Sequence, residues 1–107
     1  MERGMMMKIL LCCAMGMSTS VVVQAMKKSA RAQGKDYKIW ATDADSVDEE
    51  DDCPDVVLIG PQVGYKLEDL NEYFEGTKTK VAVMDKTQYG NCDGAAIVKF
   101  AEALYRG

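Results

Sequence analysis

Cys13-Ala14-Met15-Gly16-Met17-Ser18-Thr19-Ser20 is the segment of this chain whose residue types could do chemistry. A thiol is followed by a glycine, where the chain can turn, and then by three consecutive hydroxyls. Ser18, Thr19 and Ser20 are N-cap residue types, so a helix is expected to begin among them. In such a loop successive backbone N–H groups form an anion-binding concavity, and the helix N-terminus adds the positive end of its dipole. The ligand that fits is a phosphate. The same field lowers a thiol pKa toward thiolate, and a thiolate beside a phosphate cradle is a phosphoryl-accepting nucleophile. The plainer reading is a buried thiol at a strand end followed by a helix cap. Cys12 stands one residue earlier, on the opposite face of a strand, and is expected in the core. Cys53, inside an acidic run, and Cys92, in a polar loop, are expected to be bystanders.

Composition removes several other chemistries. The 107 residues contain no His, which excludes His-ligated metal sites, Ser-His and Cys-His nucleophile pairs, and a phosphohistidine carried on this chain. No C-x-x-C pair, G-x-G-x-x-G or Walker sequence is present, so no metal and no cofactor are expected. The net charge is −4, unevenly placed: residues 1–42 carry +5, residues 43–55 carry −8 and residues 56–107 carry −1. A nucleic-acid binder is basic with interleaved aromatics, so no nucleic-acid partner is expected. The acidic run 43–52 reads as a solvated loop or helix face, with a docking surface for a basic partner as the sharper alternative.

The elements that must position the loop follow from the apolar pattern. Lys8-Ile9-Leu10-Leu11-Cys12 and Asp55-Val56-Val57-Leu58-Ile59 are short continuous runs, as expected for strands buried on both faces. Tyr37–Thr42 alternates like an edge strand, and Lys80–Met84 supplies a fourth. A helix after Ser20 should bury Val21, Val22, Ala25, Met26 and Ser29, turn Lys27, Lys28, Arg31 and Lys35 to water, and end at Gly34. Leu67, Leu70 and Phe74 mark a second helix closed by Gly76. Tyr89–Gly94 reads as a loop, and a last helix carries Ile97, Val98, Ala101 and Leu104 on one side. The acidic stretch sits where another helix is due. Strand and helix alternate, so the expected fold is α/β, a three-layer sandwich whose four parallel strands run in the order 2-1-3-4 with helices on both faces. Ligands bind beyond the carboxyl ends of such strands where the order reverses, which is the end of strand 1. The loop after strand 3 should flank it, so Pro61, Gln62 and Tyr65 are expected at the mouth.

The length suits one domain, expected to span residues 7–107 after a disordered extension at 1–6. Ile9 to Met26 is 18 residues without a charge, yet Gly16-Met17-Ser18-Thr19-Ser20 interrupts it, so it reads as strand, loop and helix instead of a membrane span. It also lacks a good cleavage site for a signal peptide. Four Cys without an export signal read as free thiols in a reducing cytoplasm.

The stretch Lys8-Ile-Leu-Leu-Cys-Cys13-Ala-Met-Gly16-Met17-Ser18-Thr19-Ser20 resembles the start of the lactose/cellobiose-type IIB subunits of the bacterial phosphoenolpyruvate-dependent sugar phosphotransferase system (PTS). Their signature is a Cys, two residues, then Gly-Met-Ser-Thr-Ser, which places the family's phosphorylated Cys on Cys13. The resemblance continues through Asp55–Tyr65, with its Gly60-Pro61-Gln62 loop, and reaches Tyr89-Gly90 and Asp93-Gly94. It implies a fold like that of the low-molecular-weight phosphatases. It also implies a cytoplasmic phosphoryl carrier. A IIA partner bearing phosphohistidine would charge Cys13, with the loop Ala14–Ser20 around the phosphoryl group. The phosphocysteine would then donate to a sugar of the cellobiose, lactose or chitobiose type held by a membrane IIC subunit, and this chain would meet the sugar only there. The competing reading is a Cys-dependent phosphatase or arsenate-reductase-like enzyme on the same fold. Those use Cys-x5-Arg, and the sixth residue after Cys13 is Thr19.

Overall fold

The computed structural model describes residues 7–13, 19–49 and 52–107. The expected extension at 1–6 and the loop residues Ala14, Met15, Gly16, Met17 and Ser18 lie outside the described residues, as do Glu50 and Asp51 of the acidic run. Four strands, β1 (Lys8–Cys13), β2 (Lys38–Asp43), β3 (Val56–Ile59) and β4 (Lys80–Val83), form one parallel sheet in the order β2-β1-β3-β4. This is the expected order.

The two central strands are the two continuous apolar runs. Ile9, Leu10, Leu11, Val56, Val57, Leu58 and Ile59 are all fully buried, each large side chain stabilising the fold by roughly 1.5–3 kcal/mol relative to exposure. On one face Ile9, Leu11, Val56 and Leu58 pack with residues of α1 (Thr19–Ala32) and α4 (Gly94–Arg106). On the other, Leu10, Cys12, Val57 and Ile59 meet Val63, Leu70 and Phe74 from the 3-10 segment Pro61–Lys66, α2 (Leu67–Tyr73) and its C-cap. Helical layers therefore cover both faces.

α1 turns by about one residue from its expected phase. Val21 is 53% exposed, while Thr19, Val22, Val23, Met26 and Ala30 form the buried stripe. Three consecutive valines fit either phase, and the contact with α4 decides. A Cβ on Gly94, the first residue of α4, would stand 2.3 Å from the carbonyl carbon and oxygen of Ala25. Only glycine lets the start of α4 rest on the α1 backbone there. At its other end α1 closes through Gly34, whose φ of +71° is costly for any other residue. The Lys35 N–H then reaches back to the Ala30 carbonyl at 2.9 Å.

Two local expectations need correction. The loop drawn through Tyr89 and Gly90 begins with a helical turn, α3 (Lys86–Gly90). Asp85 caps it by accepting the Gln88 N–H at 2.9 Å. The acidic stretch after β2 is the 3-10 segment Ala44–Glu49, broken at Ser46, with Ala44 and Val47 buried under the α2 layer. It is also more than a solvated run. Asp45 pairs with Lys66 at 2.6 Å, and Asp52 bridges Lys8, at 2.9 Å, and Lys38. Among the described residues no helix is long and apolar enough to cross a membrane.

Candidate functional site

Cys13 is the last residue of β1, at the carboxyl end of the sheet and flanked by β2 and β3. Its register partner on β2 is Asp43. The thiol is nearly buried, at 6% exposure. The Thr19 hydroxyl donates to Cys13 Sγ at 2.6 Å, and the thiol in turn donates to the Thr42 carbonyl of β2 at 3.8 Å. Thr19 is the first residue of α1 and is itself buried. Ser20 follows it and is exposed. Thr19, one of the three hydroxyl residues expected at the helix start, turns its hydroxyl to the thiol.

From β3, Gly60 comes against the same place. Its N–H donates to the Cys12 carbonyl at 2.7 Å, and a Cβ on it would stand 3.6 Å from Cys13 Cβ and 3.6 Å from Gln62 Oε1. Gln62 Oε1 and Cys13 Cβ thus both lie near Gly60. Pro61 is half-buried next to it. Tyr65 is 76% exposed, and no hydrogen bond in the described residues ties it to Cys13. Cys12 is fully buried in the core under α2, on the opposite face as expected. Cys53 is exposed and Cys92 is half-buried after α3. Among the described residues neither takes part in the hydrogen bonds of Cys13.

One residue of the site was not singled out from the sequence. Tyr89 on α3 is buried, with its hydroxyl 3.4 Å from Thr19 Oγ1. The available signal was Asp85 three residues before Gln88, a helix-start pattern that turns the segment 86–90 from loop into helix. Thr19 also occupies the position of the arginine in a Cys-x5-Arg hydrolase. A neutral hydroxyl, not a guanidinium, meets the thiol there.

This arrangement, a nearly buried thiol at a strand end with a hydroxyl donor and a helix start beside it, agrees with comparisons with known proteins. The family model described as the PTS system lactose/cellobiose-specific IIB subunit matches residues 8–100. The chain belongs to that IIB family. It is 40% identical over 99 residues to the oligo-beta-mannoside-specific EIIB component of Bacillus subtilis, covering 92% of this chain and 96% of that protein. It is 36% identical over 101 residues to the galactose-specific EIIB component of Lactococcus lactis subsp. cremoris, covering 90% and 94%. Among solved structures, the cellobiose-specific IIB component from Borrelia burgdorferi superposes with a TM-score of 0.76 at 30% identity, covering 95% of this chain and 94% of that one. The lactose-specific IIB domain of Streptococcus pneumoniae superposes with a TM-score of 0.78 at 14% identity over 94% and 99% of the two chains, and shows the shared fold alone. This IIB protein is accordingly a phosphotransferase component of the sugar PTS.

Proposed function

We propose that Cys13 is the phosphoryl acceptor of this IIB protein, and that the observation carrying the assignment is the Thr19 hydroxyl held 2.6 Å from its sulfur at the carboxyl end of β1. A IIA partner presents a phosphohistidine. Cys13 Sγ attacks phosphorus as thiolate, the S–P bond forms as the P–N bond breaks, and the departing imidazole takes up the proton the thiol gave. In the second step a sugar hydroxyl bound by a membrane IIC attacks phosphorus. The O–P bond forms, the S–P bond breaks, and the thiolate is regenerated as the hydroxyl proton is released. The loop Ala14–Ser20 cradles the phosphoryl group with backbone N–H groups and hydroxyls. The sugar is of the cellobiose, lactose or chitobiose type, consistent with relatives named for oligo-beta-mannoside, galactose and cellobiose. The exchange takes place in the cytoplasm.

A carrier must keep its phosphocysteine until the acceptor arrives. Backbone amides and hydroxyls bind the ground state, but they lack the planar guanidinium that grips the phosphoryl oxygens as charge redistributes. The phosphorylated protein is therefore slow to hydrolyse. The test is intact mass after incubation with phosphoenolpyruvate, the general PTS proteins and a matching IIA. A gain of one phosphoryl group on Cys13, persisting without acceptor, supports the carrier reading. Rapid spontaneous loss supports the phosphatase alternative.

Pro61, Gln62 and Tyr65 form the wall of the mouth that meets IIA. Gln62 beside Gly60 and the largely exposed Tyr65 ring support this placement. Gln62→Ala and Tyr65→Phe should slow transfer from IIA several-fold with the melting temperature unchanged. Transfer at the parent rate in both variants removes the wall from the mechanism.

A further inference from the structure

We infer that Tyr89 is a positioning residue for Cys13, acting through Thr19; the inference rests on Cys13 being the phosphoryl acceptor. A hydroxyl has one proton to donate and lone pairs to accept with. Thr19 donates its proton to Cys13 Sγ. Toward Tyr89, 3.4 Å away, it is left only as an acceptor, so the Tyr89 phenol is the donor. The chain runs in one direction: Tyr89 O–H to Thr19 Oγ, Thr19 O–H to Cys13 Sγ. Each donor polarises the next, and the chain terminates on sulfur.

The direction matters because a hydrogen bond to the charged form of a group favours that form. A thiolate is the stronger acceptor, so the chain favours the nucleophilic state of Cys13. The phenol adds geometry as well as polarisation. It accounts for one lone pair of the Thr19 oxygen, which keeps the single Thr19 proton on the thiol. Both hydroxyls are buried, so water does not readily replace either contact. The elements that bring the groups together are far apart in sequence: Cys13 ends β1, Thr19 starts α1 and Tyr89 sits on α3.

Among the described residues, none of the groups given against Cys13 is a cation that could take the place of this chain. From β2 its register partner is Asp43, whose carboxylate accepts the Asp45 N–H at 3.0 Å. From β3 comes Gly60, from α1 Thr19 and from α3 Tyr89. Among these described neighbours the start of α1 and the hydroxyl chain both favour the charged sulfur, and only the chain reaches it through Tyr89.

Site-resolved alkylation of Cys13 by iodoacetamide, followed by peptide mass spectrometry from pH 5 to 10, tests the inference without any IIA protein. Tyr89→Phe keeps the buried ring and removes only the hydroxyl. It should raise the pH midpoint of Cys13 alkylation by roughly half a unit to one unit, the size expected when one net hydrogen bond to the charged form is weakened. Thr19→Val should raise it at least as far, and Tyr89→Phe added to Thr19→Val should raise it no further. Thr19→Ser, which keeps the hydroxyl, should return the parent midpoint. Phosphoryl uptake by Tyr89→Phe should fall at pH 7 and recover as the pH rises. A Tyr89→Phe protein with a lowered melting temperature and an unmoved midpoint overturns the inference, because it assigns the tyrosine to packing. So does an equal increment from Tyr89→Phe with and without the Thr19 hydroxyl. Failure of the unmodified protein to take up phosphoryl on Cys13 would instead strike the acceptor assignment, independently of the alkylation profile.

Discussion

The two ends of the sheet are built from different kinds of interaction. At the carboxyl end of β1 the sulfur of Cys13 is touched by a hydroxyl and faces a backbone carbonyl. At the amino end the chain is held by charges. Asp52 bridges Lys8 and Lys38, and Lys35 pairs with Glu102, which also accepts the Tyr37 hydroxyl at 2.6 Å. Lys66, following the loop after β3, is already engaged by Asp45. The difference fits the carrier role proposed for Cys13. Neutral dipoles bind a phosphoryl dianion without the strong, fixed attraction of a guanidinium or ammonium, so the group can leave. The ion pairs of Lys8, Lys35 and Lys38 lie at the amino end; Lys66–Asp45, whose carboxylate is largely exposed, lies at the carboxyl end without touching Cys13.

The largest expected effect comes from the neutral end. Cys13→Ser should abolish phosphoryl uptake, since a hydroxyl near its free pKa is a far weaker nucleophile than a thiolate. Cys12→Ser should retain uptake but cost stability. Cys12 is fully buried among Leu10, Val57 and Ile59, and a hydroxyl placed there costs about 1–3 kcal/mol. Intact mass after charging and thermal melts of both variants check this. An inactive Cys12→Ser beside an active Cys13→Ser would move the chemistry to the other face of β1.

The charged end should show the reverse. Lys35→Met removes the ammonium from a Glu102 carboxylate whose side chain is only 10% exposed. Burial pushes that carboxyl up, but the hydrogen bonds from Lys35 and Tyr37 outweigh it and hold it below the usual range. Tyr37 in turn is pushed up to about 12 by burial and by Glu102. Losing one charged hydrogen bond there costs about 1–2 kcal/mol, a fall in melting temperature of roughly 5–10 °C for a domain of this size. Phosphoryl uptake at 20 °C should match the parent. A variant that melts normally but charges slowly would erase the division between the ends.

Sequence carried the central architecture because two patterns there are unambiguous. Ile9–Cys12 and Val56–Ile59 are apolar without alternation, which only strands buried on both faces require, and alternation with helices then forces a parallel sheet. The position of Cys13 followed from that order. What escaped was set by contacts distant in sequence. Val21, Val22 and Val23 fit two helix phases, and the choice rests with Gly94 seated on Ala25. Lys86–Gly90 is five residues, too short for periodicity, and its one local signal was the Asp85 cap. Tyr89 joins the site across 70 residues of chain, a pairing that no spacing rule can supply. Thr19 looked like a cap because hydroxyls at a helix start usually are.

The smallest effect expected is at Asp52, and pH separates it from packing. Hydrogen bonds from Lys38 and then Lys8 hold its carboxyl at about 2 in the folded protein, below the roughly 3.9 of an unfolded aspartate. The ionised form is therefore favoured by folding. The stabilisation is fully present above about pH 4 and is lost as the pH falls from there toward 2. Asp52→Asn should melt only slightly below the parent at pH 7, because the side chain is about one-third exposed and water and salt screen it. The gap should close between pH 4 and 2, and it should narrow in high salt at neutral pH. Phosphoryl uptake should not change, since both lysines and the carboxylate lie at the amino end of the sheet. An offset that stays constant down to pH 2 would mean that the ion pairs of Asp52 do not produce the difference.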